Sequence, residues 1–241
     1  IFQGNLSLAM SNNLTKWKRD YVFFKQPKKK NYQSFTKSTI FKDKKNFFLF
    51  VESSNNLKSD IVSYSSKNLK IWKKVKKLLS GNKKNKFQSP FIFKKGNYFL
   101  FFAKNGEQIE FVELTKKFKI KKRVVCFKKD LPFEKFSIYA PFVLKHKKYY
   151  IMFYSAWSSK FKGNITVSYS TNLTNWTKSR RYLFKIPNSY KIISEPCIFQ
   201  KGKKVYFFFE FKKKNVWNIG FKKLNQNFFR TLITANTTHS R

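Results

Sequence analysis

The chain is short of several residue types that often define a class of protein. Its 241 residues include only 2 Cys, 2 His, 6 Pro and 7 Gly. Two Cys are too few for a disulfide framework, and neither the Cys nor the His residues stand at metal-site spacing, so no metal and no cofactor are predicted. No apolar run reaches about 18 residues, so no membrane span is predicted. The compartment stays undetermined, with the cytoplasm slightly favoured.

Acidic residues are scarce as well: 11 Asp and Glu stand against 53 Lys and Arg, for a net charge of +42. Such a charge can mark a protein that binds nucleic acid or an anionic surface. Nearly all the basic residues are Lys, however, and they are spread along the chain beside abundant Asn, Phe and Ile, as in the product of an A+T-rich gene. Readers of DNA sequence rely on Arg for base edges. We therefore expect no specific nucleic-acid partner, only non-specific polyanion affinity at low salt.

Aromatic residues are abundant, with 31 Phe and 12 Tyr. Aromatic side chains favour strands. Helical periodicity is weak throughout, and alternation or short aromatic runs dominate. These features predict an all-β fold, and the length suits one domain.

A seven-residue phrase, Ser-x-Asn-Leu-x-x-Trp, occurs three times in the chain, ending at Trp17, Trp72 and Trp176. The first two Trp are 55 residues apart and the last two are 104 apart, which is twice 52. A degraded copy therefore belongs near residue 124, where the segment 109–122 offers Phe118 in the Trp place. One further period leads to Phe228 and the residue after it. Five copies of one structural unit are predicted.

A second element alternates with the phrase, and it reads as a β-hairpin: an apolar strand, a Lys/Gly/Asn/Asp turn and an aromatic strand. Four strands in about 52 residues are typical of one β-propeller blade. We predict a five-bladed propeller, truncated at one or both ends and forming a single domain over 1–241. Its parts are a half blade at 1–24, blades at 25–80, 81–127, 128–184 and 185–232, and a tail or closing strand at 233–241.

The hairpin and phrase motifs together resemble the five-bladed propeller glycosidases of glycoside hydrolase families 43 and 32. The nearest stretch is "YAPFVLKHKKYYIMFYSAW", residues 139–157. The resemblance implies a central funnel lined by the starts of the inner strands. It also implies three catalytic acids in total, each next to the Pro of its strand start. Only one of these strand starts carries an acid in this chain, namely Glu195 before Pro196. It lies one blade after Ala140-Pro141, which is where the resemblance implies the general acid. Where the family has Asp after Ala-Pro, this chain has Phe142.

The strand ends in Phe-x-Glu at Glu52 and Glu210 carry a second resemblance. They are similar to the propeller domain found with the plant sphingolipid glucosamine transferase and with formyltransferase-like proteins. The late segment His239-Ser240-Arg241 fits the same pattern. This resemblance implies an accessory domain of a glycan-modifying protein.

Glycoside hydrolysis needs two carboxyl groups about 5–9.5 Å apart, one of which donates a proton. Glu195 is the candidate general acid, and Asp130 and Glu134 are weaker candidates because their loop leads into an inner strand. Aromatic side chains near the strand starts could stack on sugar rings, and an Arg could hold an anionic group. The candidate substrate-binding residues are Tyr139, Trp157, Phe142 and Arg181.

Three hypotheses follow. The first is a glycosidase that binds a carbohydrate substrate and hydrolyses a glycosidic bond, with Glu195 as general acid. The alternative is a non-catalytic or accessory glycan-binding propeller beside a transferase, favoured by the missing Asp at position 142. The third is a non-specific polyanion binder with a Lys-rich surface. Fold alone does not decide between them, because propellers host many functions.

Overall fold

The computed structural model describes residues 6–24, 34–55, 57–185, 190–202, 204–225 and 227–237. The chain divides into two compact units. Unit 1 comprises residues 1–100 and 113–121, and unit 2 comprises residues 101–112 and 122–241. In the described part, short antiparallel strands make up most of the regular structure, as the aromatic composition predicts.

Unit 1 begins with a two-stranded antiparallel sheet and continues with a four-stranded one. The first sheet pairs β1 (Leu6–Met10) with β2 (Lys18–Phe24). The second sheet has the order β3-β4-β5-β6, with β3 (Ser34–Asp43), β4 (Asn46–Ser54), β5 (Ser59–Ser66) and β6 (Lys73–Leu79). Its apolar face buries a cluster made of Phe35, Leu49, Val51 and Val62.

The next four strands form another antiparallel sheet with a sequential order. They are β7 (Phe87–Lys95), β8 (Asn97–Lys104), β9 (Gln108–Leu114) and β10 (Ile120–Lys128). Strands β8 and β9 are almost wholly buried, whereas β10 exposes most of its side chains. An outer strand that is exposed, and often Lys-rich, is how such sheets protect an edge from further pairing.

Unit 2 continues with a seven-stranded sheet. A short 3-10 helix, Pro132–Glu134, precedes it. Its strands are β11 (Ser137–His146), β12 (Tyr149–Ser159), β13 (Lys162–Ser170), β14 (Thr177–Lys178), β15 (Tyr190–Lys201), β16 (Lys204–Lys213) and β17 (Val216–Leu224). A single parallel pair, Gly163 with Ile192, joins β13 to β15, so the sheet consists of two successive antiparallel groups.

The core of unit 2 lies between those two groups. Phe153 of β12 and Phe207 of β16 are fully buried and meet edge to face, with ring centroids 5.5 Å apart. Helix α1, Phe228–Thr237, adds Phe229 to the same cluster. The Tyr169 hydroxyl donates a hydrogen bond to the Leu232 carbonyl at 3.2 Å, which holds the helix in place.

The segment 233–241, for which the sequence allowed a tail or a closing strand, forms no strand in its described part. Strands β15, β16 and β17 are followed by helix α1, so the described part of 233–241, up to Thr237, is helical. The apolar residues of 228–233 recur at positions that share one helix face, and that face packs on the core. The segment His239-Ser240-Arg241 lies outside the described residues.

The repeated phrase is a hydrogen-bonded turn that joins two strands of a sheet. In the copy at 170–176, the Ser170 hydroxyl accepts the Leu173 N–H at 2.9 Å, and the Asn172 carboxamide oxygen accepts the next two backbone N–H groups at 3.0 and 2.9 Å. The Trp176 indole N–H donates to the Leu173 carbonyl at 2.7 Å. The copies at 11–17 and 66–72 repeat the Asn and Trp bonds.

The left-handed residue of the turn is the Leu, with φ of 67°, 62° and 72° at Leu14, Leu69 and Leu173, while the Asn side chain caps the turn. The degraded copy around Phe118 differs from the sequence prediction. Phe118 shares this conformation, with φ 54°, and its N–H donates to the Thr115 carbonyl three residues earlier. Phe118 therefore replaces the Leu of the phrase and not the Trp, because its backbone position decides its role.

Candidate functional site

Three inner strands, one in the sheet of β7–β10 and two in the seven-stranded sheet, carry the same irregularity beside a proline. Ser89, Ala140 and Glu195 have φ values of 52°, 53° and 55°, and each precedes a Pro. The pairing of β11 with β12 shifts register around Ala140, and that of β15 with β16 shifts around Glu195. A bulge re-aims the side chain at its position and is frequent next to active sites. A left-handed non-Gly residue is strained by the order of 1–2 kcal/mol.

A hydrogen bond to a neighbouring side chain holds the bulge in place. The Glu195 N–H donates to the Ser155 hydroxyl at 3.0 Å, and Ser155 is fully buried on β12. In unit 1 the Ser89 N–H donates in the same way to the Glu52 carboxylate, at 2.9 Å. Glu195 itself is half-buried.

Glu210 lies across the strand pair from the residue that precedes Glu195. Ser194 and Glu210 face each other in the β15–β16 ladder, and the Ser194 hydroxyl lies 3.4 Å from a Glu210 carboxylate oxygen. Two carboxylate-bearing residues, Glu195 and Glu210, therefore stand next to the register shift of this hairpin. Counting the ladder outward from the turn after Lys201 would have placed Glu210 there from the sequence.

The two weaker acid candidates have different surroundings. The Glu134 side chain is fully buried, and its carboxylate accepts hydrogen bonds from the N–H groups of Asp130 and Leu131 and from the Tyr154 hydroxyl. Lys178 donates to it as well, at 2.7 Å. Glu134 thus ties the 3-10 turn to the sheet and does not reach a surface. The Asp130 side chain is 68% exposed and is ion-paired with Lys178.

Tyr139 and Trp157, the two candidate stacking residues, are both half-buried at the start of the β11–β12 pair. A Cβ atom at Gly106 would lie 2.6 Å from the Tyr139 hydroxyl, so only Gly fits this turn, which also has φ +70°. A Cβ atom at Gly163 would lie 2.8 Å from the Trp157 ring. Both aromatic rings are therefore held against glycine backbones.

The remaining two candidates, Phe142 and Arg181, have different surroundings. Phe142 is half-buried and packs on the core cluster between β12 and β16, which is a structural contact. Arg181 is exposed, and its backbone carbonyl accepts a bond from Thr166 at 2.8 Å. Glu195 thus lies beside Ser155 and Glu210. Tyr139 is the cross-strand partner of Ser155 in the β11–β12 ladder.

Unit 1 holds two buried acids, Glu52 and Asp60, whose pKa values are shifted in opposite directions. Burial raises the pKa of Glu52 above its ordinary value, although the Ser89 N–H acts against this. Burial also acts to raise the pKa of Asp60, but the Gly81 N–H, at 2.8 Å, and the Lys77 ammonium, at 3.1 Å, outweigh it, so the Asp60 pKa is lowered. Neither acid was among the site residues predicted from the sequence.

The described residues contain no group of three or more His, Cys, Asp or Glu side chains that could hold a metal ion. Within the same part of the chain, no helix has the length and apolarity to cross a membrane. Cys126 is buried and Cys197 is exposed, and both are free thiols.

The chain is similar to known proteins in structure and not in sequence. No protein-family model matches the chain, and no curated protein matches it significantly. Solved structures do match. A thermostable family-43 glycoside hydrolase superposes with a TM-score of 0.80 at 18% identity, over 92% of this chain and 82% of that one. The chain has the fold of the family-43 five-bladed propellers.

Two arabinan-degrading enzymes share this propeller fold with the chain. The endo-arabinase of Bacteroides thetaiotaomicron has a TM-score of 0.73 at 17% identity, over 90% of this chain and 85% of that one. The α-L-arabinanase of Cellvibrio cellulosa, in complex with arabinohexaose, has a TM-score of 0.76 at 14% identity, over 91% and 85%. The fold predicted from the propeller repeat is therefore confirmed, and the resemblance to family 43 is confirmed as a likeness of structure.

Proposed function

We propose that the chain is a glycoside hydrolase of the propeller type, with Glu195 as its general acid. The observation that supports this is the position of Glu195 at an inner-strand bulge, held by the Ser155 hydroxyl. The equivalent left-handed positions before a Pro are Ser89 and Ala140, which have no acid. A carboxylate at a strained, half-exposed position of a glycosidase-like fold has a catalytic explanation that packing alone does not supply.

In the proposed reaction, Glu195 transfers its proton to the glycosidic oxygen while the bond from that oxygen to the anomeric carbon breaks. The bonding electrons go to the oxygen, and the leaving sugar departs as an alcohol. Water then adds to the anomeric carbon, and a second carboxylate takes up the proton that water loses. Glu210, across from Ser194, is the candidate for that second group in unit 2. Tyr139 and Trp157 are proposed to stack on sugar rings.

The substrate class is proposed from the structural neighbours. Enzymes of this fold include an endo-arabinase and an arabinanase bound to arabinohexaose. We therefore take α-L-arabino-oligosaccharides as the first substrates to test, followed by a wider set of glycosides. The Lys-rich surface is also suited to sugars that carry carboxylate groups, which the wider set should include.

The test measures how the turnover rate of the Glu195→Gln variant depends on the leaving group of the substrate. A general acid contributes about 10²–10⁴-fold, and only when the leaving oxygen needs a proton. We expect Glu195→Gln to lose that factor on oligosaccharides and alkyl glycosides, and to lose little on dinitrophenyl glycosides. Glu107→Gln, at an acid that is 56% exposed and paired with Lys129, is the matched control. Equal turnover of both variants on all substrates would exclude Glu195 as the acid.

A second candidate function, glycan binding without hydrolysis, is favoured by one observation. Phe142 occupies the position where the resemblance implies an Asp, and its ring packs on the core. If no glycoside is turned over, titration calorimetry with the same oligosaccharides decides the matter. Binding that weakens in Tyr139→Ala or Trp157→Ala, in a protein without turnover, would support an accessory glycan-binding propeller.

A further inference from the structure

The backbone of Glu195 is tied to a side chain of another hairpin. The β15–β16 ladder includes Ser194 and Cys197 but neither of the two residues between them, Glu195 and Pro196. A Pro has no N–H to donate. The Glu195 N–H donates instead to the Ser155 hydroxyl, 3.0 Å away and 40 residues earlier in the chain. The conformation of this bulge therefore depends on a contact with strand β12.

The Ser155 hydroxyl is a fixed acceptor for that bond. Strand β12 is paired along both edges, and Ser155 has Tyr139 as its partner in the β11–β12 ladder and Ile165 as its partner in the β12–β13 ladder. The Ser155 side chain is fully buried. A short, buried side chain on a strand that is paired on both sides has little freedom to move, so its hydroxyl stays where the Glu195 N–H needs it.

The bulge needs a fixed contact because its backbone is strained. Glu195 has φ 55°, in the left-handed region that residues with a Cβ atom avoid. Such a conformation persists only where the surrounding structure determines it, and it is most often found at functional sites. Without the Ser155 hydroxyl, the Glu195 N–H would lose this acceptor and the bulge would relax. Relaxation would re-aim the carboxyl group.

Unit 1 contains the same kind of bond with the acid on the opposite side. There the left-handed residue is the neutral Ser89, and its N–H donates to the Glu52 carboxylate at 2.9 Å. In unit 2 the left-handed residue is the acid, and the acceptor is the neutral hydroxyl of Ser155. A carboxylate beside Glu195 would oppose the ionisation of its side chain, because like charges disfavour the charged form. A Ser supplies the acceptor without that effect.

We propose that Ser155 is a positioning residue for the general acid. Its hydroxyl fixes the backbone of the bulge, and that backbone aims the Glu195 carboxyl group at the glycosidic oxygen. A general acid acts only within hydrogen-bond reach of the oxygen that it protonates. A misplacement of about 1 Å can lower a rate by about 10²-fold. The inference rests on the glycosidase function proposed above, and it assigns Ser155 no contact with the reacting atoms.

The test compares Ser155→Ala with Ser168→Ala in the full chain. Ser168 is the matched control because it is also fully buried, lies on the neighbouring strand β13, and has a hydroxyl without a hydrogen-bond partner among the described residues. Each change removes one buried hydroxyl and no charge. Turnover is measured on alkyl and dinitrophenyl glycosides for both variants, and for Ser155→Ala combined with Glu195→Gln.

We expect Ser155→Ala to lower kcat/KM by about 10–100-fold on alkyl glycosides, whose leaving oxygen needs a proton, and to change it little on dinitrophenyl glycosides. In the Glu195→Gln background the same change should have no further effect, because the group that Ser155 positions is already absent. Ser168→Ala should match the parent on both substrates. An equal loss on both kinds of glycoside, or a full loss in the Glu195→Gln background, would overturn the proposal.

Amide hydrogen exchange of Glu195, followed by NMR, tests the contact without any turnover. This amide should exchange about tenfold faster in Ser155→Ala than in the parent, and at the parent rate in Ser168→Ala. Equal exchange in Ser155→Ala and the parent would refute the positioning role even if turnover fell. Faster exchange in Ser155→Ala, together with a parent that turns over no glycoside, would refute the proposed hydrolysis and leave Ser155 as the residue that fixes the bulge.

Discussion

The Lys178 ammonium and the Glu134 carboxylate lie 2.7 Å apart, although 44 residues separate them in the chain. The Glu134 side chain has no exposed area and the Lys178 side chain is 9% exposed. Lys178 also donates to the Lys128 carbonyl at 2.9 Å and lies over the Phe127 ring, so its charge is enclosed on several sides. The pair joins the 3-10 turn to β14.

Removing one charge of this pair should destabilise the fold. Breaking a buried ion pair typically costs about 3–5 kcal/mol, because the remaining charge stays buried without its partner. We expect Glu134→Gln to lower the free energy of unfolding by the lower part of that range, since Asp130 still pairs with Lys178. Urea denaturation monitored by tryptophan fluorescence measures this.

The matched control for Glu134 is the surface pair of Glu107 with Lys129, whose side chains are 56% and 24% exposed. Exposed pairs contribute about 0–1 kcal/mol. A Glu107→Gln change should therefore be nearly neutral. If Glu134→Gln were as mild as Glu107→Gln, the role assigned to the buried pair would be wrong.

Because of Asp60, the free energy of unfolding should decrease at acidic pH. Its pKa is lowered in the folded protein by the Gly81 N–H and the Lys77 ammonium, which outweigh burial. Such a group stabilises the fold above its unfolded pKa of about 3.9, and this contribution is lost as pH falls through the lower folded pKa. We expect Asp60→Asn to cost about 1–3 kcal/mol at neutral pH. The difference from the parent should vanish in urea titrations near pH 2, and a constant difference at every pH would contradict the assignment.

Glu52 should have the opposite effect. Its pKa is raised by burial, so the folded protein binds its proton more tightly than the unfolded chain does. Stability from this group is complete below the unfolded pKa of about 4.3 and is lost as pH rises through the folded pKa. Glu52→Gln keeps an oxygen that can accept the Ser89 N–H. We expect it to be more stable than the parent at pH 7, because the buried carboxyl group no longer has to ionise.

The check on Glu52 is a pair of urea titrations of parent and Glu52→Gln at pH 4 and pH 7. The two proteins should be closest in stability at the lower pH, and the variant should gain at the higher pH. A variant that is less stable at pH 7 than at pH 4, relative to the parent, would show that the ionised carboxylate is the favoured form. In that case Glu52 would belong with Asp60.

The fold could be predicted from the sequence because a propeller consists of repeated units, and the sequence repeats with them. The spacing of Trp17, Trp72 and Trp176 and the alternating hairpins record a unit that must recur for neighbouring sheets to bury their faces. The same register placed Glu195 beside Pro196 at an inner strand. These are local patterns, and a sequence displays them directly.

Other features depend on contacts between distant segments. Asp130 and Glu134 look alike in the sequence, four residues apart among Lys, yet one is exposed and the other is enclosed by Tyr154 and Lys178. Phe118 took the place of a Leu because backbone hydrogen bonds, and not ring chemistry, define the turn. The sequence by itself determined which strands form and how often they recur, since both follow from side-chain pattern. Only the tertiary structure decided which charges are buried and which aromatic rings stay exposed, because burial depends on what the rest of the chain places on top of them.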